Sequence, residues 1–199
     1  MTETVASADP DMHFESVNYF VRPLADADAG LDWGEWTNDP FNAALLNAKP
    51  FAMSEEERLS YIGDFKDRHD RFIIGVFEKQ AGTMIGFGTL FLDRSNREFL
   101  GNILLGHPDH RNLGVGRELR DLFYGQMFEV LDFEAARANV VATNSFMIDL
   151  LLRRGWTLEH TSFIPDSAGQ GVTEMRHLRL TRNDWRTYFS HQKKNEKAA

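Results

Sequence analysis

The stretch from Glu98 to Leu131 constrains this chain most. Glu98 to Gly106 reads as a strand, and His107-Pro108-Asp109-His110-Arg111 then opens a polar loop. Helical periodicity follows at Leu119, Leu122, Phe123, Met127, Val130 and Leu131, with Gln126 the polar exception on that face. The junction carries Arg111-Asn112-Leu113-Gly114-Val115-Gly116. Two residues without side chains there let the loop and the new helix aim several backbone N–H groups at a doubly charged pyrophosphate. Arg111 either adds charge-assisted contacts or binds Asp109 or faces solvent.

The flanking segments supply the rest of an α/β domain. Val17 to Arg22 is expected as a first strand, with short helical segments between Leu24 and Leu46. Ser54-Glu55-Glu56-Glu57 has the form of a capping box and predicts a helix presenting Leu59, Ile62 and Phe65 on one face. Arg71 to Phe77 and Thr83 to Leu92 read as a hairpin, and Ala135 to Val141 as the fifth strand. Asn144-Ser145 opens a helix whose apolar residues cover more than one face, which predicts deep burial and an end at Arg153-Arg154-Gly155. Trp156 to Ile164 and Val172 to Leu180 complete the pattern as a terminal strand pair. The expected organisation is a terminal segment over 1–14 that is flexible, one domain over 15–189, and a flexible polar tail over 190–199.

Composition removes several function classes. There are no cysteines, so disulfides, thiolate metal sites and cysteine nucleophiles are excluded. With 22 Lys and Arg against 30 Asp and Glu, the formal charge is −8, which disfavours a broad nucleic-acid surface and is compatible with a cationic or amine-bearing partner. The first residues lack the basic and apolar regions of a secretory signal, and no apolar run is long enough to cross a bilayer as a helix. No membrane or nucleic-acid partner is expected, and a cytoplasmic location fits.

The Arg111–Gly116 segment resembles the coenzyme A pyrophosphate loop of GCN5-related N-acetyltransferases, the GNAT superfamily. The likeness extends through Asn144 to Trp156, whose Asn-Ser…Leu-Leu-Leu-Arg-Arg-Gly-Trp run resembles that family's later helix and strand entrance. It is most similar to the branch of ribosomal-protein N-terminal, amino-sugar and polyamine acetyltransferases. The resemblance implies a mixed, strongly twisted central sheet flanked by helices, with a cofactor wedge between the fourth and fifth strands. It further implies acetyl-CoA as acyl donor, with Leu104, Leu105 and Gly106 beside the pantetheine arm. Arg111, Leu113, Gly114, Val115, Gly116 and Arg117 fall near the phosphates, and no metal is required.

The family's chemistry is direct transfer of acetyl to an amine, which needs a proton acceptor. Glu98 is the first candidate, through a water relay; a solvent-facing strand-start carboxylate is the bland alternative. His107 and His110 are candidates for proton transfer or for organising the loop. Glu35 and Asp39 are candidates for the acceptor pocket, with Trp33 and Trp36 as a wall or as ordinary helix packing. Asn144 reads as a pantetheine ligand or an N-cap. Leu151 stands where many relatives carry a thiolate-protonating tyrosine. The acceptor ranked first is a peptide or protein N-terminus. Amino sugars, polyamines, amino acids or antibiotics are the small-molecule alternative, and a catalytically silent acyl-CoA-binding regulator is the third reading. A homodimer through Phe163 to Tyr188 is expected.

Overall fold

Period-two apolar patterning sends side chains to both faces of a single sheet, and both faces are covered. A computed structural model describes residues 12–110, 114–167, 169 and 171–198. The strands are β1 (Phe14–Glu15), β2 (Tyr19–Pro23), β3 (Arg71–Glu78), β4 (Met84–Asp93), β5 (Glu98–Leu105), β6 (Ala135–Val141), β7 (Thr157–Pro165) and β8 (Val172–Thr181). They lie in the order β1-β2-β3-β4-β5-β6-β8-β7. Every neighbouring pair is antiparallel except β5 and β6, which run parallel. A parallel pair needs a crossover, and helix α3 (Val115–Gly125) provides it.

On the back face Ile74, Val76, Ile85, Leu90 and Phe99 pack with Leu119 and Phe123 of α3 and with Trp185 of α5 (Arg182–Ala198). On the front face Ile73, Phe77 and Phe87 pack with Leu24, Trp33 and Ile62, the last from α2 (Glu55–Gly63). The capping box of α2 is present in full: Ser54 Oγ accepts from the Glu57 amide and the Glu57 carboxylate accepts from the Ser54 amide. The early segment holds two short 3-10 turns, Asp26–Gly30 and Gly34–Thr37, before α1 (Pro40–Leu45).

Several expectations change. Val17 is 86% exposed and the strand begins at Tyr19, while a short strand precedes it; the parallel pair is therefore β5–β6, the expected fourth and fifth strands by position. Met12 and Phe14 are buried in the back core, so the domain reaches into the segment read as flexible. At the other end α5 continues across 190–198. Leu59 is exposed, leaving Ile62 as the buried anchor of α2. The helix after the loop passes into a π-helical turn, Gln126–Val130, which turns Met127 and Phe128 into the core and Val130 out to solvent. The helix α4 (Ser145–Leu152) is not deeply buried: Leu151 is its buried residue, and Phe146, Met147 and Leu152 are exposed. A helix laid on one side of a sheet hides one stripe, whatever the apolar content of the others.

Candidate functional site

The site begins where the parallel pair stops. β5 and β6 are in register only from Glu98↔Ala135 to Leu100↔Arg137. Beyond that point β5 stays paired with β4 as far as Leu105↔Gly86, and β6 stays paired with β8 as far as Val141↔Met175. The facing edges of residues 101–105 and 138–141 therefore diverge, and backbone N–H and C=O groups on those edges are left to other partners. Five residues of extended chain give this opening a depth of about 16 Å.

Its mouth meets the N-terminus of α3. Gly114 is the N-cap at φ 77°, a left-handed conformation that glycine adopts without steric cost. The amides of Arg117 and Glu118 both bond back to the Gly114 carbonyl, at 2.9 and 3.3 Å, so Val115 and Gly116 head the first turn with their amides ahead of the intrahelical ladder. That end carries the positive pole of the helix, which favours an anion. The Arg117 guanidinium lies 2.9 and 3.0 Å from the Gln192 side-chain amide of α5. Arg111 and Leu113, also expected here, lie outside the described residues.

Leu104, Leu105 and Gly106 occupy the expected edge. Leu104 packs into the front cluster and Leu105 against the back one, so their contribution to the opening is main chain. A Cβ at Gly106 would fall inside the indole of Trp36. Trp36 thus roofs the end of β5, as a pocket-wall residue would. Trp33 does not: it is 1% exposed, packs its ring 4.8 Å from that of Phe87 at a 46° tilt, and gives its indole N–H to the Asp28 carbonyl at 3.0 Å. The Trp33 side chain is core. Of the two acceptor-pocket carboxylates, Glu35 is exposed and accepts from Asn38 at 3.3 Å, whereas Asp39 caps α1 by accepting from the Phe41 amide at 2.8 Å. Asn47, past α1, bridges to the β7–β8 turn through Pro165 O and Ser167 N, each at 3.1 Å. The early segment accordingly spans the front of the sheet from the end of β5 to that turn.

Glu98 has a different occupation from the one expected of a proton acceptor. Its carboxylate, 14% exposed, accepts from Arg137 Nε at 2.5 Å and from Arg179 Nε and Nη2 at 3.2 and 3.1 Å. Burial pushes its pKa up, but the hydrogen bonds from Arg137 and then Arg179 outweigh burial and hold it below the ordinary carboxylate value. A base working near neutrality needs the opposite shift. Glu159 completes the cluster, 2.8 Å from Arg137 Nη1 and 3.8 Å from Arg179 Nε. His107 lies past the far end of β5, about 25–30 Å along the strand from Glu98, so the two do not form one catalytic pair. Its ring meets His110 edge to face at 5.0 Å, and the Nδ1 atoms of both are buried with no hydrogen-bond partner among the described residues. Asn144 caps α4, its Oδ1 accepting from the Met147 amide at 3.2 Å.

One cluster was not anticipated. Past the last β5–β6 pair, Asn139 of β6, His177 of β8 and His160 of β7 are cross-strand partners. His177 Nδ1 lies 2.9 Å from Asn139 Oδ1, and its Nε2 lies 2.7 Å from Ser162 Oγ. The signal was present in the sequence as polar residues on one alternation of two terminal strands, with Leu178 and Leu180 on the other; their convergence depended on register. Among the described residues, no group of three or more His, Cys, Asp or Glu side chains could hold a metal ion, and no helix is long and apolar enough to cross a membrane.

The same architecture occurs in solved structures. The chain superposes on spermidine N-acetyltransferase from Vibrio cholerae, in complex with CoA and spermine, with a TM-score of 0.71 at 15% identity, covering 84% of this chain and 97% of that one. It superposes on ribosomal-protein-S5-alanine acetyltransferase from Vibrio fischeri with a TM-score of 0.68 at 17% identity, covering 87% and 98%. A GCN5-related N-acetyltransferase from Brucella melitensis gives 0.74 at 16% identity, covering 92% and 84%. At such identities the likeness is one of fold. No curated protein matches the sequence. The sequence profile of the acetyltransferase (GNAT) family matches residues 31–156, a span that takes in β5, the loop, α3 and α4. The divided parallel pair, the helix N-terminus at its mouth and this match over more than half the chain lead to one conclusion: the chain belongs to the GNAT acetyltransferase family.

Proposed function

We propose that the chain is a cytoplasmic, acetyl-CoA-dependent N-acetyltransferase that moves an acetyl group directly onto a primary amine, with a peptide or protein N-terminus as first-ranked acceptor and small amines such as polyamines as the alternative. The observation that carries this reading is the opening between residues 101–105 and 138–141 with the α3 N-terminus at its mouth. An extended amide-bearing arm fits a freed strand edge, and a pyrophosphate fits first-turn amides. In this reading Leu104, Leu105 and Gly106 hold the arm through their backbone. Gly114, Val115, Gly116 and Arg117 receive the phosphates, joined by Arg111 and Leu113. With its Oδ1 committed to the α4 cap, Asn144 has its amide nitrogen for the arm.

Bound acetyl-CoA supplies the activated acyl group. Because the arm enters at the mouth, the reacting carbonyl comes to the deep end of the opening, near the level of Asn139. The acceptor approaches from the front face, beneath Trp36 and the segment that Asn47 ties to the β7–β8 turn. Exposed Glu35 favours a cationic amine there. Glu98 acts through charge, neutralising Arg137 and Arg179 below the reacting centre, rather than as the proton acceptor.

Calorimetry with acetyl-CoA, followed by thiol release and product mass spectrometry with an alanine-starting peptide, spermidine and glucosamine, tests the reading. Amine-dependent release with an acetylated product is expected. A peptide preferred over both small amines supports the first-ranked acceptor, and the reverse preference rejects it. Leu151 is buried in the core and offers no thiolate-protonating hydroxyl, which favours the silent regulator as second reading; tight binding without turnover across the panel would select it. We also infer a homodimer, because β7 is the outermost strand and Leu158, Phe163 and Val172 are exposed along the β7–β8 pair. Light scattering that gives a monomer mass across concentration would reject it.

A further inference from the structure

The C-terminal helix reaches the mouth of the opening from outside the span that the family profile matches, 31–156. One stripe of α5 faces the body of the protein: Trp185, Phe189 and Gln192 stand at i, i+4 and i+7. Trp185 is buried, its ring 5.5 Å from that of Phe128, and Phe189 stacks on it at 5.1 Å. Beside them Arg186 donates from Nε and Nη2 to the Glu129 carboxylate, at 2.8 and 2.9 Å. These contacts fix the start of α5 against the π-helical turn that follows α3. Two turns later Gln192 meets Arg117, in the first turn of α3. The two helices therefore run antiparallel, and the stripe ends in a polar residue where it arrives at the α3 N-terminus.

The chemistry of this contact suits an amide. Gln192 Oε1 accepts from Arg117 Nε and Nη2, at 2.9 and 3.0 Å. A guanidinium carries five N–H donors in one plane, and this contact uses one edge of it. The edge formed by Nη1 and Nη2 is not engaged by Gln192, and its fork geometry matches two oxygens of a phosphate. An amide is also uncharged. It fixes the side chain without cancelling its charge, whereas a carboxylate in the same place would form an ion pair and weaken the field that an anion meets. An arginine held in this way has already given up part of the rotamer freedom that ligand binding would otherwise remove.

Resting on the acetyl-CoA reading above, we propose that α5 belongs to the cofactor site, with Gln192 as the positioning residue that sets Arg117 toward the pyrophosphate. Gln192 touches no reacting atom and acts through Arg117. Because the start of α5 is anchored by Trp185 and Arg186, the place of the guanidinium is set from the back of the sheet as well as from the first turn of α3.

Calorimetry on the full chain with coenzyme A, and with pantetheine as a probe that has the arm but no pyrophosphate, tests this. Gln192→Ala is expected to weaken coenzyme A about fivefold, the size for ordering one long side chain on binding, and to leave pantetheine affinity unchanged. Gln192→Glu keeps a partner for the guanidinium but adds an opposing charge; a loss of about tenfold is expected, with its gap from the wild type narrowing as salt is raised. In an Arg117→Ala background, Gln192→Ala is expected to cost nothing further, which a merely structural role of α5 would not produce. That double variant keeps the test decisive where pantetheine binds too weakly to measure. With acetyl-CoA and the alanine-starting peptide or spermidine, KM for acetyl-CoA is expected to rise about fivefold in Gln192→Ala while kcat holds. Unchanged or tighter coenzyme A binding in Gln192→Ala, equal losses for coenzyme A and pantetheine, or additive losses with Arg117→Ala would each overturn the role of Gln192 and leave acetyl-CoA binding standing. Failure of the wild type to bind coenzyme A would instead take down the acetyl-CoA reading, and this inference with it.

Discussion

The closed and open ends of the β5–β6 pair are built from opposite materials. At the closed end Leu100↔Arg137 is the last register pair, and Glu98, Arg137, Arg179 and Glu159 form a charged cluster across four strands. At the open end the charges give way to backbone edges, a left-handed glycine and neutral hydrogen-bonding side chains. Separating two neighbouring strands over five residues forfeits ladder bonds worth about 1 kcal/mol each. The cluster ties β5, β6, β7 and β8 together immediately below the break. On the proposed reading, stability and ligand binding are concentrated at different ends of the same strands, so substitutions at the two ends are expected to separate cleanly.

Glu98→Ala carries the largest expected effect on folding. It removes the more buried of the two carboxylates that Arg137 and Arg179 share and leaves them only Glu159, which is expected to cost about 2 kcal/mol. Chemical denaturation measures this, and coenzyme A affinity of the folded variant is expected to stay within about twofold. A variant of full stability and lost binding would erase the division between the ends. Acid gives a smaller version of the same loss. Because the folded pKa of Glu98 lies below its unfolded value, the stability it contributes is full above the unfolded value, about 4.3, and is lost as pH falls through the folded one. Unfolding temperatures followed from pH 6 to pH 3 are expected to drop less in Glu98→Gln than in the wild type.

This division also explains what the sequence disclosed. The capping box of α2, the strand–loop–helix run and the left-handed Gly155 are local patterns, legible because the residues that settle them are neighbours. The opening itself is a relation between strands, and pairing alone decides where it starts. Glu98 looked like a free strand-start carboxylate because its partners are 39 and 81 residues away. Trp33 and Trp36 were indistinguishable by spacing; a 3-10 turn between them sends one indole into the front core and the other over Gly106. The apolar excess of α4 suggested depth, but α4 buries a single stripe. Asn139, His177 and Ser162 were invisible for the same reason as the Glu98 cluster, since three separate strands contribute them.

Among open-end changes, Gly114→Ala is expected to do two things at once. A side chain at φ 77° costs about 1–2 kcal/mol, and relaxing that strain re-aims the first-turn amides of α3. Coenzyme A affinity measured by calorimetry is therefore expected to fall about tenfold or more, equivalent to about 1.4 kcal/mol.

Gly116→Ala isolates the smaller steric part. Gly116 has ordinary helical backbone, and among the described residues a Cβ there would meet only Leu105 Cδ1, at 4.0 Å. The described residues leave room for that methyl, so stability is expected to be unchanged or to rise by up to about 1 kcal/mol from the better helix propensity of alanine. Any loss of coenzyme A affinity must then come from the methyl meeting the ligand, and about threefold is expected, less than for Gly114→Ala. Equal losses in the two variants, with Gly116→Ala fully stable, would mean that the phosphates lie directly over Gly116 and that backbone orientation at Gly114 contributes little. No loss at Gly116 would move the phosphates toward the preceding loop, where Arg111 becomes the substitution to make next.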